Sequence, residues 1–473
     1  MRSRRRASVR DSRVGWKPAL PPESKPLLRA TDNGSPVVVP VQHFASPQRD
    51  GGWGGYAETF LRFNDKALRS LDVEGEVAGT SRGPVVRLVP HGRAGAVPLR
   101  SGYTGRVSGG LLVAPRFGWT GIGQVLHDTG WWSAPELLGL PTVPGSAREI
   151  PPWVLAGPVL VRLERLLGTL RPGYRQLEAM SSRPRGRILW HSYISRSLSR
   201  GHWDQIPCRF PDLAKDPLLR RYIRWTLERV LQDLCGHGEA DPVAGQLITD
   251  ARRLVDTVSD VAPLMPRPND LEFSVARGLA STDARLGIEA MQWVVDERGL
   301  GGGRERDGLA WTLPLDRLWE SFVEATYRHE VSRTGGEILV GRLSQTVFPL
   351  EWTDPTHRSL GHLVPDLVVR RGRSVQIVDA KYKAHLAELD EVGWRRFEDE
   401  IRDSHRADIH QVLAYASLYE AEDVTATLVY PLRRGTYLAL RDRRRDRSYA
   451  ELLHGGRRIC LELRGLPFGR VYG

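Results

Sequence analysis

Apolar positions change their period twice along this chain. From about 36 to 117, short β-branched runs are cut by glycine and proline (VVVPVQHF, EGEVAGT, PVVRLVPHG, GRVSGGLLVAPRF), a pattern that predicts strands joined by turns. One amphipathic helix, around 56 to 71, interrupts them. Between about 157 and 298 the period becomes helical. The clearest helix starts with Asp216 as N-cap and Pro217 at the first helical position, then carries Leu218, Leu219, Tyr222, Ile223, Leu227, Val230, Leu231 and Leu234 along one stripe. Such a stripe predicts packing and nothing more. The run GLGGGRERDG, residues 299–308, has no apolar pattern and marks a loop or domain joint.

After Pro314 the period changes again. Leu315, Leu318, Trp319, Phe322, Val323 and Tyr327 recur at helical spacing, with Glu320 at the edge of their stripe. Three strand-like runs follow, GEILVGRL, LVPDLVVRRG and SVQIVDAKYK, then the helical ADIHQVLAYASLYEAED and the strand-like TATLVYP. The expected order is α, β, β, β, α, β.

This order carries a constellation with chemical meaning. Asp366 opens the second strand and Asp379-Ala380-Lys381 ends the third, with 12 residues between the aspartates. Alternation along a strand puts Asp379 and Lys381 on one face, and a hairpin around Arg371 to Arg373 would bring Asp366 toward it. Two carboxylates and an ammonium suit phosphodiester hydrolysis. Mg²⁺ binds through one or two carboxylates, keeping waters and substrate phosphate oxygens in its shell, and a lysine adds positive charge where the reacting phosphorus becomes more anionic. Asp366 and Asp379 are therefore expected to hold Mg²⁺ or Mn²⁺, with Ala380 between them at the metal, and Lys381 to orient or activate the water. On the next helix Asp408, Gln411 and Tyr415 share a face, so Gln411 is a candidate for the metal's water or a phosphate. Tyr415 and Lys383 are possible DNA contacts, while His410 lies off that face and reads as a surface residue.

Composition sharpens the picture. The formal charge is +12 and the pI is near 9.9, which favours a polyanionic partner. Of 68 basic residues only six are lysine, and two of those six are Lys381 and Lys383. Lysine is a compact ammonium that shifts its pKa readily, whereas guanidinium stays charged, so this placement points to chemistry. Cys208, Cys235 and Cys460 have neither zinc-site spacing nor the density of a disulfide scaffold, which fits a reducing cytoplasm. No apolar run reaches the length of a membrane span. Residues 1–35, rich in arginine and proline, are expected to be a basic disordered tail. No glycine precedes a lysine, so the chain lacks a G-x-x-x-x-G-K-[ST] phosphate loop. Trp119, Trp131 and Trp132 are expected in the core rather than stacked on bases.

The motifs PD at 365–366, DAK at 379–381 and QVLAY at 411–415 resemble the PD-(D/E)xK nuclease superfamily over about 310–435. That resemblance implies an α/β fold with a restriction-endonuclease-like αβββαβ core, divalent-metal cleavage of DNA, and a role for Glu320 as the acidic residue of the first helix. LLVAPRFGWTGIGQVL (111–126), PRGRILW (184–190) and DPLLRRYIRWTLERVL (216–231) further resemble the McrC-like nuclease subunits of McrBC-type modification-dependent restriction systems. This implies a McrB-like AAA+ NTPase partner, using GTP or ATP and encoded nearby, that drives a nuclease acting in phage defence. The expected organisation is a β-rich N-terminal domain at 36–155 that docks the partner, a helical middle region with its glycine-rich joint at 156–308, and a nuclease domain at 309–473. Two rival readings are a DNA-end-processing repair nuclease and a non-catalytic DNA-binding activator of a AAA+ motor.

Overall fold

The computed structural model describes residues 25–45, 54–80, 83–131, 135–146, 151–170, 173–214, 217–236, 242–267, 270, 281–295, 307–354, 359–386, 399–454 and 457–469. Most of the expected tail, Asp216, Trp132 and most of the glycine-rich run 299–308 lie outside them.

The N-terminal part holds two small sheets around one helix. Val37–Val39, Gly83–Pro90 and Val73–Thr80 form an antiparallel three-stranded sheet, and the helix Gly54–Ser70 buries Phe60, Ala67 and Leu68 against it. A second, five-stranded sheet has the order Leu27–Thr31, Val107–Ala114, Arg93–Arg100, Trp311–Pro314, Glu136–Leu137. Two of these strands depart from expectation. Leu27–Thr31, expected in the tail, is a strand parallel to Val107–Ala114, because its apolar residues find a partner edge that composition cannot reveal. Trp311–Pro314, expected with the C-terminal domain, pairs antiparallel with Arg93–Arg100.

Helices Trp119–Asp128, Trp153–Thr169, Pro217–Cys235, Pro242–Asp256 and Thr282–Val295 fill the middle and share one apolar core with the helix Leu315–Thr334. Trp131 is part of that core, against Gly157, where an added Cβ would sit 2.2 Å from the indole. Trp119 packs edge-on to Trp153 at 6.2 Å. Gly173–Ser181, Ile206–Ala214 and Arg187–Ile188 form a separate three-stranded antiparallel sheet.

The C-terminal sheet has six strands in the order Glu337–Val340, Leu367–Arg371, Ser374–Ala380, Asp423–Leu432, Arg457–Pro467, Arg447–His454. Leu367–Arg371 and Ser374–Ala380 form a tight hairpin, and Gly372 at φ 58° supplies the positive dihedral that its turn requires. The helix Asp399–Ser417 makes the crossover from Ser374–Ala380 to the parallel strand Asp423–Leu432, as a parallel pair demands. It packs on the face carrying Val368, Ile377 and Leu428, with Val412 and Ala416 turned inward. Helix Leu315–Thr334 covers the other face, where Leu367, Val369, Val378 and Val429 join the main core and Trp319 Nε1 donates to the Val429 carbonyl at 3.2 Å. From Leu315 to Leu432 the principal elements run in the expected order, with the short strands Phe348–Pro349 and His362–Leu363 inserted. No helix among the described residues is long and apolar enough to cross a membrane.

Candidate active site

The third strand ends where three elements meet. Ser374–Ala380 alternates its side chains, so Ile377 and Asp379 face the crossover helix while Val378 and Ala380 enter the core beneath helix Leu315–Thr334. Lys381 follows with its backbone N–H donating to the Val429 carbonyl at 2.9 Å, which keeps it in line with the strand. Its ammonium lies 2.7 Å from Asp379 Oδ2, a close ion pair without the alignment of a hydrogen bond. The same ammonium donates to Gln411 Oε1 at 2.9 Å and stands 4.0 Å from Asp408 Oδ1. Asp366 enters from the residue just before its strand, and its Oδ2 accepts the Ala380 N–H at 2.7 Å. Its position is fixed on the other side by its carbonyl, which accepts the Gly341 N–H at 2.8 Å.

Electrostatics show how crowded this corner is. Burial raises the Asp366 carboxyl well above its ordinary range, and Asp379 and Glu320 add like charge, against which the Ala380 N–H and Lys381 pull only weakly. Glu320 has an exposed surface but is closely ringed by protein. That crowding, reinforced by Asp316 and Asp379, pushes it up to about 7. Burial opposes the charge of Lys381, yet Asp379, Asp408 and Asp366 outweigh it and raise its pKa.

Lys381 is therefore cationic, and three carboxylates compete for it. Among the described residues no three histidine, cysteine or carboxylate side chains stand close enough to cage a metal on their own. The donors present suit a hard cation of another kind. Asp366 and Asp379 could supply the one or two carboxylates Mg²⁺ needs, and a divalent charge beside Asp366 would relieve the repulsion that raises its carboxyl.

The remaining candidates have definite neighbours in the structure. Tyr415 is buried in the core behind the site, and its hydroxyl accepts from Gln411 Nε2 at 2.8 Å, so it braces Gln411 rather than facing solvent. Gln411 in turn holds Lys381. The Lys383 ammonium donates to both Asp408 oxygens at 2.8 Å and to Ser404 Oγ at 2.9 Å. Ala380 contributes its backbone N–H, while His410 is exposed.

Two groups of neighbours had no local signal. Asp32, fully buried, accepts the Tyr382 hydroxyl at 3.0 Å and the Arg116 backbone N–H, and the Arg116 guanidinium lies 4.5 Å over the Tyr382 ring while donating to its carbonyl at 3.2 Å. On the other side, buried His385 and His405 stand edge to face at 5.7 Å beside Asp408, with Tyr430 hydrogen-bonded to His405 at 3.1 Å.

No curated protein matches the chain. Among solved structures it is similar to a refined half-complex from a tetradecameric assembly of Thermococcus gammatolerans McrB AAA+ hexamers with bound McrC. Identity there is 13%, 94% of this chain and 97% of that chain are covered, and the TM-score is 0.40. It is also similar to the cryo-EM structure of the Thermococcus gammatolerans McrBC complex, at 10% identity, 65% and 88% coverage and a TM-score of 0.26. A family model described as McrBC 5-methylcytosine restriction system component matches residues 163–431. That match spans more than half of the sequence, and the chain belongs to this family of restriction-system components.

Proposed function

We propose that this chain is the DNA-cleaving subunit of its restriction system, a Mg²⁺- or Mn²⁺-dependent endonuclease with a PD-(D/E)xK-type centre. The observation that carries the reading is the convergence of Asp366, Asp379 and Lys381 at one end of a sheet, with Glu320 electrostatically coupled to both aspartates. A structural ion cluster is a poor alternative account, since Asp379 and Glu320 add like charge to the crowded Asp366 carboxyl instead of balancing it.

Asp366 and Asp379, with the Ala380 backbone between them, would hold the cation. When bound, it would polarise the phosphate and acidify a water. The rest belongs to the chain itself. Gln411 and Asp379 fix the Lys381 ammonium so that its charge faces the phosphate oxygens, and Tyr415 keeps Gln411 from rotating away. Glu320, with a pKa near neutrality, is placed to accept or release a proton in the same recess.

The family's description makes the chain one component of a larger system, and we infer a AAA+ NTPase, using GTP or ATP, as its partner. Trp190, Ile194, Leu198 and Trp203 are 62%, 57%, 46% and 72% exposed within the segment that joins strands Arg187–Ile188 and Ile206–Ala214, an apolar patch of the kind that marks protein contacts.

The test is cleavage of methylated DNA by the reconstituted complex, with Mg²⁺ and with chelator. Asp379→Ala and Lys381→Ala should each abolish cutting while circular dichroism and partner assembly stay unchanged. Undiminished cutting by both variants would end the nuclease reading.

A further inference from the structure

The end of the sheet that carries Asp379 and Lys381 also carries an arginine arc. Strand Asp423–Leu432 leaves the sheet at that end, and Arg433 and Arg434 begin the helix Arg434–Asp442 directly after it. The turn that closes the helix holds Arg443, Arg444 and Arg445, and strand Arg447–His454 starts at Arg447. All six arginines are exposed. Within 433–447 the acidic residues are Asp442 and Asp446, and Arg447 also pairs with Glu462 at 3.3 Å, so the arc keeps a net positive charge.

The register ties this arc to the site. Ala380 pairs with Val429, Val429 with Arg464, and Arg464 with Arg447, so Arg447 lies in the same cross-strand row as Ala380. Three strand spacings separate them, about 14 Å. A single DNA strand covers that distance in about four nucleotides.

We propose that this arc is a DNA-backbone contact surface that grips phosphates roughly four nucleotides from the scissile bond. It deepens the nuclease reading above and rests on it for the position of the cut. Guanidinium groups suit the task, because each presents a planar fork to phosphate oxygens and keeps its charge at any working pH. The turn itself is held by main-chain bonds, the Arg444 N–H to the Arg441 carbonyl at 2.9 Å and the Arg445 N–H to the Leu440 carbonyl at 2.8 Å. These main-chain bonds remain when the side chains are exchanged, and circular dichroism of the variant checks that the turn is kept. An acidic protein surface is the competing occupant, and the arc's place at the same end of the sheet as Asp379 and Lys381 favours DNA.

The experiment uses the full chain and a 30-base-pair fluorescent duplex in chelator, so that binding is read without cleavage. The variant is Arg443→Gln/Arg444→Asn/Arg445→Gln, in which asparagine tolerates the left-handed backbone of residue 444 at φ 57°. Affinity should fall about tenfold or more near 0.1 M salt, and the slope of log Kd against log salt should shrink by about two to three, at roughly 0.9 for each phosphate no longer neutralised. The lysine versions at the same three positions should keep most of that slope. An Arg62→Gln/Arg69→Gln control on the remote helix Gly54–Ser70 should change neither quantity. The proposal fails if the arc variant binds like wild type, if the control weakens binding equally, or if DNA affinity survives while partner assembly is lost. Because cleavage plays no part in this assay, an arc that binds DNA in a complex that never cuts would sink the nuclease reading and leave the contact surface standing.

Discussion

Asp32 and Tyr382 are 350 positions apart in sequence, yet the phenol donates to the buried carboxylate at 3.0 Å, one residue beyond Lys381. A strand end in the N-terminal sheet thereby holds the segment that carries the candidate catalytic lysine. Tyr382→Phe removes one hydrogen bond to a buried charge, and the expected loss is roughly 1–3 kcal/mol. Differential scanning fluorimetry should show a lowered Tm, and cleavage should lose turnover more than DNA affinity. An unchanged Tm would show that this hydrogen bond contributes nothing.

Lys381 is clasped by Asp379 and Gln411, and only its ammonium faces both. Lys381→Arg should cleave as poorly as Lys381→Ala, within about tenfold, because a flat guanidinium cannot occupy the same point. Gln411→Ala should retain cleavage at roughly a tenth of wild type, since the lysine loses a guide but not its charge; a loss as deep as that of Lys381→Ala would give Gln411 a direct part in the reaction.

His385 is lowered from 6.5 to about 4, first by burial and then by the positive charge of Lys383 and His405. The unfolded chain takes up a proton that the folded chain refuses between those values. Its contribution to stability is thus complete above pH 6.5 and is lost as pH falls toward 4. Over that window the Tm advantage of wild type over His385→Gln should shrink as pH falls, and taking the difference removes the opposite effect of the raised Glu320 and Asp366 carboxyls. An equal decline in the variant would assign acid lability elsewhere.

Phe468 stacks on Phe117 at 5.2 Å and on Trp319 at 5.4 Å, joining the last described strand to both the N-terminal segment and helix Leu315–Thr334. Phe468→Ala should cost about 3–5 kcal/mol, and Phe468→Leu considerably less. Chemical denaturation followed by tryptophan fluorescence reads both.

Periodicity made the hairpin of Leu367–Arg371 and Ser374–Ala380 legible, because alternation fixes which side chains share a face and a short turn fixes the partner strand. It could not assign Tyr415. Spacing shows that Tyr415 and Gln411 lie on one helical face, but whether that face looks into a cleft or a core depends on a sheet the helix itself does not encode. The Asp32 hydrogen bond and the pairing of Leu27–Thr31 were hidden for a related reason: strand edges choose partners across hundreds of residues with no local mark. The arginines of the arc entered the sequence reading only through the net positive charge, and the register of four strands gave them a location.

Trp311–Pro314 is hydrogen-bonded into the N-terminal sheet, and Leu315 opens the next helix without a spare residue. If the chain cuts DNA as proposed, a partner seated on the N-terminal sheet would hold the candidate centre without the play of a tether. The distance from such a seat to the candidate centre would then be set like the jaw of a fixed caliper, and DNA would have to be fed to it.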